Sequence, residues 1–193
     1  KTKNNFLSQL TEHTDVLLQA CLQGDHHAQM KIYDRYYRAM YNTAVRIVKD
    51  AAEAEDIMQE SFLSAFTKLH TYKGEVTFGA WLKRIVINNS IYHYKKQLKK
   101  NEVAIEDVMY RVEDNDEVNF DSHGVTELKA QKVMETMNKL KDNYRISLTL
   151  HLIEGYDYKE ICEIMDMSYG NCRTTISRAK ERLRQMLSIT PSV

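Results

Sequence analysis

Arg173, Thr174, Ser177, Arg178, Lys180, Arg182 and Arg184 crowd into one short stretch near the end of the chain. Cations and hydroxyls in such density do not cleave bonds. They hold anions and hydrogen-bond base edges, so the chemistry on offer is binding to phosphates and bases. The same stretch carries Cys172, Ile176, Ala179 and Leu183 at i, i+4, i+7 and i+11, an apolar line with the period of a helix. The basic residues therefore flank and oppose a buried face. A shorter segment precedes it, from Tyr156, with Ile161 and Met165 inside and Met167 just beyond. Ser168-Tyr169-Gly170 reads as a tight turn in which Ser168 caps the second helix. A short helix, a turn and a basic second helix form the pattern of a helix-turn-helix, whose second helix enters the DNA major groove. A plainer reading of the same residues is an amphipathic surface helix with a solvated basic face.

Other groups that could do chemistry are sparse. The seven histidines, among them His26-His27, show no H-x-x-x-H spacing and no accompanying nucleophile motif, so each reads as a surface or core residue. Cys21, Cys162 and Cys172 are an odd number without C-x-x-C spacing, and read as reduced small hydrophobes rather than a disulfide or zinc site. No metal site and no cofactor are expected, and no enzymatic activity.

Hydrophobic residues make up 43% and charged residues 28% of the 193, enough to bury a core and remain soluble. A single Pro and six Gly leave few breaks, which favours helices. No apolar run approaches the ~20 residues of a membrane span, and no signal peptide is evident, so a cytoplasmic location is expected. Net charge is zero, but it is unevenly spread. Residues 14–100 hold 13 basic and 9 acidic side chains; residues 101–127 hold one Arg and nine acids; residues 128–193 hold 11 basic and 8 acidic side chains. Two mildly basic blocks flank one acidic segment.

The expected elements follow. Asp15–Gln23 reads as a short helix and Asp25–Lys49 as a long one, with Tyr33, Tyr37, Met40, Ala44 and Val48 as its core line. Ala52–Leu69 carries an apolar line of Ala54, Met58, Phe62, Ala65 and Leu69. An acidic line of Glu53, Asp56 and Glu60 runs along the same helix. Phe78–Lys100 combines apolar Phe78, Trp81, Leu82, Ile85 and Ile91 with Lys83, Arg84, Lys95, Lys96, Lys99 and Lys100. Basic side chains interleaved with rings suit unpaired nucleic acid, in which bases stack while cations track phosphates. The alternative is a core aromatic pair and a solvated helix end. Residues 101–127 show no sustained period and read as a flexible tether able to span roughly 30 Å. Val125–Lys139 and Asp142–Glu154 are the helices before the hairpin. The expected fold is all-α: two small helical domains, residues 10–100 and 128–190, joined by an acidic linker of residues 101–127, with a helix-turn-helix in the second.

From Leu140 to Leu183 the chain resembles, without gaps, the C-terminal domain of RNA polymerase sigma factors of the extracytoplasmic-function (ECF) group. The residues that carry the likeness are Leu140, Arg145, Glu154-Gly155, Tyr158, Glu160-Ile161-Cys162, Ser168, Gly170, the run Asn171 to Lys180, and Leu183. Residues 28–100 resemble the N-terminal domain of the same group, through Tyr33 to Tyr41, Ala54-Glu55-Asp56-Ile57-Met58-Gln59-Glu60-Ser61-Phe62, and Trp81-Leu82-Lys83-Arg84-Ile85 with Asn88. Three departures stand out: Cys162 replaces a common Ala, Thr174-Thr175 replaces Ser-Arg, and Tyr92 stands where Asp is frequent. The last two bear on which promoter sequence is read.

The resemblance implies a dissociable specificity subunit that directs core polymerase to promoters and helps to open the −10 region. It implies that Glu55, Asp56, Gln59 and Glu60 dock on core polymerase. Tyr72, Phe78, Lys83, Arg84, Asn88, Tyr92 and Lys95 would meet the −10 element, with Trp81 left to the core. Arg173, Thr174, Thr175, Ser177, Arg178 and Lys180 would meet the −35 element. The partners implied are core polymerase, promoter DNA and commonly an anti-sigma factor, with no small-molecule substrate and a monomer when free. The acidic linker would follow the RNA path near the active centre, although a solvated tether has the same composition. The main competitor is a ligand-responsive repressor, which needs an effector cavity and a dimer. A catalytic protein and a pure scaffold are weaker readings.

Overall fold

In a computed structural model of the chain, residues 14–105 and 125–189 are described. The chain divides into two compact units after Gln97. The described residues form helices and turns and no strand.

The first unit contains α1 (residues 14–22), α2 (His26–Val48), α3 (Ala51–Thr67), a 3₁₀ turn at Leu69–Thr71 and, as far as Gln97, α4 (Phe78–Ile105). Short polar residues set the boundaries. Asp25 caps α2 by accepting from the His27 and Ala28 N–H groups at 2.8 and 3.3 Å. Lys49 turns left-handed at φ 65° and its N–H returns to Val45, so α2 stops there. Asp50 then caps α3 by accepting from Glu53 N–H at 2.7 Å. The two helices are thus joined by two residues and pack as a hairpin.

Ala28, Ile32, Met40, Ala44 and Ile47 of α2, Ile57, Met58 and Phe62 of α3, and Leu82, Val86, Ile87 and Ile91 of α4 form the core. The expected apolar line of α3 is buried throughout. The tyrosine line of α2 is not: Tyr37 is exposed and Tyr33 half-buried, stacked on one another with centroids 5.7 Å apart. Ile32 and Ile47 occupy the interior in their place, because apolar branched side chains need no partner for a hydroxyl. Ser61 and Asn89 tie α3 to α4, Asn89 Nδ2 donating to Ser61 Oγ at 3.0 Å.

α4 runs five residues past the expected end at Lys100, to Ile105. Asn101-Glu102-Val103-Ala104-Ile105 contains neither Gly nor Pro, and extending an existing helix costs far less than nucleating one. Residues 106–124 of the expected linker, and 10–13 of the expected first domain, lie outside the described residues.

The second unit contains α5 (Val125–Asn138), α6 (Asp142–Leu148) continuing into a π-helical turn at Thr149–Ile153, α7 (Tyr158–Met165) and α8 (Tyr169–Ile189). The Glu154 N–H reaches back to Thr149 and the Tyr156 N–H to Leu150, both at 3.0 Å, and Gly155 takes φ 79° to make the exit. A capping box opens α7: Asp157 Oδ1 accepts from Glu160 N–H while Glu160 Oε2 accepts from Asp157 N–H, each at 2.9 Å. Asp166, left-handed at φ 56°, ends it.

The turn therefore lies at Asp166–Ser168, two residues earlier than the expected Ser168-Tyr169-Gly170. Tyr169 and Gly170 belong to the first turn of α8. Ser168 caps α8 as expected, accepting from Asn171 N–H at 3.3 Å. The apolar line of α8 is fully legible in the fold: Cys172, Ile176 and Ala179 are 0% exposed and Leu183 7%. Ile146, Leu148, Leu150 and Ile161 close the core from α6 and α7. One charged residue lies inside it: Arg145 is 1% exposed and donates through Nε and Nη2 to Asp142 Oδ1 at 3.3 and 3.0 Å.

Candidate functional site

Three surfaces stand out. The first is the outer face of α3. Glu55, Asp56, Gln59 and Glu60 are all exposed there, within two turns. Gln59 Nε2 donates to Glu55 Oε1 at 3.4 Å, and Glu60 Oε2 lies 3.1 Å from His93 Nε2 of α4. Leu63, one turn beyond Gln59, is 70% exposed, an apolar side chain beside an acidic cluster that the sequence reading passed over.

Glu53, the first member of the expected acidic line, differs from the rest. It is half-buried and its Oε2 has no hydrogen-bond partner. Burial pushes its carboxyl up, His93 opposes that, and Asp50 adds to it. An acid whose pKa is raised by folding binds its proton more tightly in the native state. Its contribution to stability is therefore intact below the unfolded value and falls as pH rises toward the native one. Gln imitates the neutral form, so Glu53→Gln should leave the first unit at least as stable as wild type at pH 7. Urea midpoints at pH 5 and 7 should also show a smaller pH-dependent drop; an undiminished drop would show that Glu53 is not its source.

The second surface runs along α4. Trp81, Arg84, Asn88, Tyr92 and Lys95 recur every three or four residues and so share one side of the helix. Tyr92 is 63% exposed and Asn88 is exposed, while Trp81, Arg84 and Lys95 are half-buried. Lys83 falls roughly half a turn from this line and is half-buried too.

The aromatic cluster at the start of α4 reverses two expectations. Phe78 is 3% exposed, its ring covered by Tyr36, Tyr72 and Trp81 at centroid distances of 5.5, 5.8 and 5.7 Å. It cannot offer a face to a base. Trp81, expected in the core, is instead half-exposed, with Tyr72 5.4 Å away. The cause is the close approach of α2: a Cβ at Gly79 would meet the Tyr36 ring at 2.9 Å, so Tyr36 seals Phe78 from that side. Tyr72 is fixed by its hydroxyl, which donates to Val76 O at 2.7 Å.

The third surface is the outward side of α8. Arg173, Thr174, Ser177 and Arg178 are exposed, and Thr175 and Lys180 half-buried. The two threonines are partly spent within the helix: Thr174 Oγ1 donates to Gly170 O at 2.8 Å and Thr175 Oγ1 to Asn171 Oδ1 at 3.3 Å. Tyr169, 53% exposed, and exposed Asn171 stand at the leading end of the helix; Tyr169 was expected in the turn, and Asn171 was outside the expected contact set. Cys172 lies behind this surface with Sγ 3.7 Å from Tyr158 O; burial and the neighbouring Cys162 push its thiol up to about 11, so it is a neutral packing group.

Residues 32–100 match the family model for sigma-70 region 2 and residues 130–183 that for sigma-70 region 4. The chain is 30% identical over 185 residues to the RNA polymerase sigma-H factor of Pseudomonas aeruginosa, covering 92% of this chain and 96% of that one. It is 32% identical over 156 residues to the ECF RNA polymerase sigma factor SigM of Bacillus subtilis, covering 81% and 93%. Among solved structures, the sigma factor RpoE of Bartonella quintana in complex with the anti-sigma factor NepR gives a TM-score of 0.57 at 20% identity. That match covers 84% of this chain and 98% of that one. CnrH in complex with the cytosolic domain of CnrY gives 0.53 at 20% identity, covering 91% and 97%. These structural likenesses speak to the fold. The repressor alternative is not favoured, because the region it would use as an effector domain matches sigma-70 region 2.

Proposed function

We infer a division of labour from the family to which this chain belongs, the extracytoplasmic-function group of RNA polymerase sigma factors. As such a factor it directs core polymerase to specific promoters and takes part in transcription initiation. The three surfaces described above are given one task each. The chemistry of nucleotide addition stays with the polymerase, and the chain acts in the cytoplasm as a monomer when free.

The outer face of α3 docks on core polymerase. Glu55, Asp56, Gln59 and Glu60 supply negative charge and hydrogen bonds, and Leu63 an apolar contact among them. Complementary charge speeds and orients the encounter, while the apolar side chain gains from losing water.

The α4 surface meets the opened −10 element. Asn88 and Tyr92 are its most exposed members, with Arg84 and Lys95 beside them to follow phosphates. Tyr72 and Trp81 provide the ring faces on which an unpaired base stacks, at ~1–3 kcal/mol per base. Phe78 is the floor beneath those rings rather than a contact, and Lys83 serves the edge of the surface.

α8 reads the −35 element from the major groove. Arg173, Thr174, Ser177 and Arg178 are its exposed members, Thr175 and Lys180 its flanks. An anti-sigma partner is proposed as the regulator, since both structural relatives named above were solved with a bound partner.

The observation that carries this reading is the order of parts: an exposed acidic helix, a helix with exposed rings and cations, and a helix-turn-helix, within one chain. The test is transcription from a cognate promoter with reconstituted holoenzyme. Arg178→Ala, which removes an exposed guanidinium from α8, should cut output about tenfold, the effect of losing one bidentate contact of ~1–3 kcal/mol. Wild-type output from the variant would remove Arg178 from the reading surface.

A further inference from the structure

Two thiols meet inside the helix-turn-helix, and none of the three surfaces uses them. Cys162 lies on α7 and Cys172 on α8, and both are free. Cys172 is 0% exposed, with its Sγ 3.7 Å from Tyr158 O. Tyr158 precedes Cys162 by four residues in α7, so its carbonyl is the helical acceptor for the Cys162 N–H. Side chains of an α-helix lean toward its N-terminus, which brings the Cys162 sulfur back over the turn that Cys172 touches. The two thiols accordingly share a hydrogen bond. They differ in access: Cys172 is sealed, while Cys162 is half-buried and keeps an edge in solvent. Among the described residues no third metal-ligating side chain joins them, so the pair offers the chemistry of a dithiol.

We propose that Cys162 and Cys172 form a redox modification site: a small peroxide closes them to a disulfide, and closure weakens the grip of α8 on the −35 element. The second half rests on the reading of α8 as the helix that enters the major groove. Oxidation begins at Cys162, the sulfur that the oxidant can reach. Its thiolate attacks one peroxide oxygen. An S–O bond forms, the O–O bond breaks, and the departing oxygen takes a proton and leaves as water or an alcohol. The Cys172 sulfur then attacks the Cys162 sulfur. An S–S bond forms, the S–O bond breaks, and the hydroxide leaves as water with the Cys172 proton. The pair loses two electrons and the peroxide gains them. Thiol–disulfide exchange with a small reductant reopens the bridge.

Closure has a mechanical consequence. Two sulfurs in hydrogen-bond contact must approach to about 2.0 Å to bond. Cys172 stands near the start of α8 between exposed Asn171 and Arg173, so drawing it toward α7 carries both neighbours with it. Ile161 and Ile176, each 0% exposed, pack the same interior. A close-packed core transmits such a shift rather than absorbing it, and the displacement passes to the outer side of α8.

In the experiment the full chain is treated with hydrogen peroxide, the oxidant is removed, and holoenzyme is assembled with untreated core polymerase. Intact mass and peptide mapping read the bond. Affinity for a cognate and a scrambled −35 duplex reads the consequence. Treated wild type should lose two hydrogens in mass and yield a cross-linked peptide pair containing Cys162 and Cys172. Its affinity for the cognate duplex should fall about tenfold, the effect of losing one bidentate guanidinium contact, and a thiol reductant should restore it. Cys162→Ala, which installs the residue common at this position in the family, should bind like reduced wild type before and after treatment. A gain of oxygen at Cys162 without a cross-link overturns the proposal. So does a cross-link that leaves cognate affinity unchanged. An equal loss of affinity in treated Cys162→Ala would place the damage elsewhere and overturns it too. If reduced wild-type holoenzyme fails to distinguish the two duplexes, the reading of α8 itself falls and takes the consequence with it, whereas the cross-link stands or falls on mass alone.

Discussion

Replacing Asp56 by Lys should weaken binding of the chain to core polymerase by about a hundredfold, the largest functional effect expected of any single substitution. Asp56 is exposed on the outer face of α3 and sits among Glu55, Gln59 and Glu60. Reversing its sign places a cation against a partner surface selected for acidic groups, and like charges brought together at an interface cost several kcal/mol. Every 1.4 kcal/mol is a factor of ten, so a hundredfold asks for about 3 kcal/mol. Gln59→Ala removes a hydrogen bond without a charge clash and should cost roughly tenfold. The two can be told apart by salt. Wild-type association should slow as ionic strength rises, because steering is screened; the Gln59 variant should keep that dependence and the Asp56 variant should lose it. Fluorescence titration of core polymerase with labelled chain reads both. Equal affinity for wild type and both variants would remove α3 from the docking surface.

The largest effect on stability is expected at Arg145. Its guanidinium is 1% exposed and held by Asp142, whose own side chain is part-exposed. Arg145→Ala removes a large buried side chain, leaves a hole beside Ile146 and Leu148, and strips Asp142 of its counter-ion. Truncating a large buried side chain to Ala typically costs ~2–5 kcal/mol, a large share of the ~5–15 kcal/mol that holds a small domain together; the Asp142 carboxylate, 42% exposed, is left to water. Arg145→Met fills most of the space and should be milder. The chain has a built-in control, because its single tryptophan, Trp81, lies in the first unit. In urea, circular dichroism of the Ala variant should show an early transition from the second unit. The Trp81 fluorescence midpoint should stay where it is in wild type. Coincident and unshifted transitions would mean that Arg145 contributes little.

What could be seen in the residues depended on how local the cause was. The line Cys172, Ile176, Ala179, Leu183 is legible because one helix with one buried face writes its burial as a period, and Ser168 as a cap needs only its neighbours. Asp157 and Glu160 form a capping box whose spacing was present in the sequence and was overlooked. Val86 and Ile87 were missed for a different reason. Adjacent residues on a helix point in different directions, so both are buried only if α4 is covered on more than one side, which periodicity along α4 cannot reveal. The exchange of roles between Phe78 and Trp81 depends on Tyr36, 42 positions away from Phe78 in the chain, closing over it where Gly79 leaves room. The π-helical turn at Thr149–Ile153 likewise has no signature in residue type. Among the candidate surfaces, the residue types were readable from spacing and family likeness. Which of them reach solvent was not, and Leu63, Tyr169 and Asn171 came into view only through exposure.

This chain confers promoter choice on a polymerase that lacks it. Run-off transcription with purified core polymerase on genomic DNA, with and without the chain, tests it most directly. Discrete transcripts should arise from a small set of start sites only when the chain is present, and should be lost with Asp56→Lys. Unchanged transcription on adding the chain, together with a free protein that is a dimer around a bound small molecule, would contradict it.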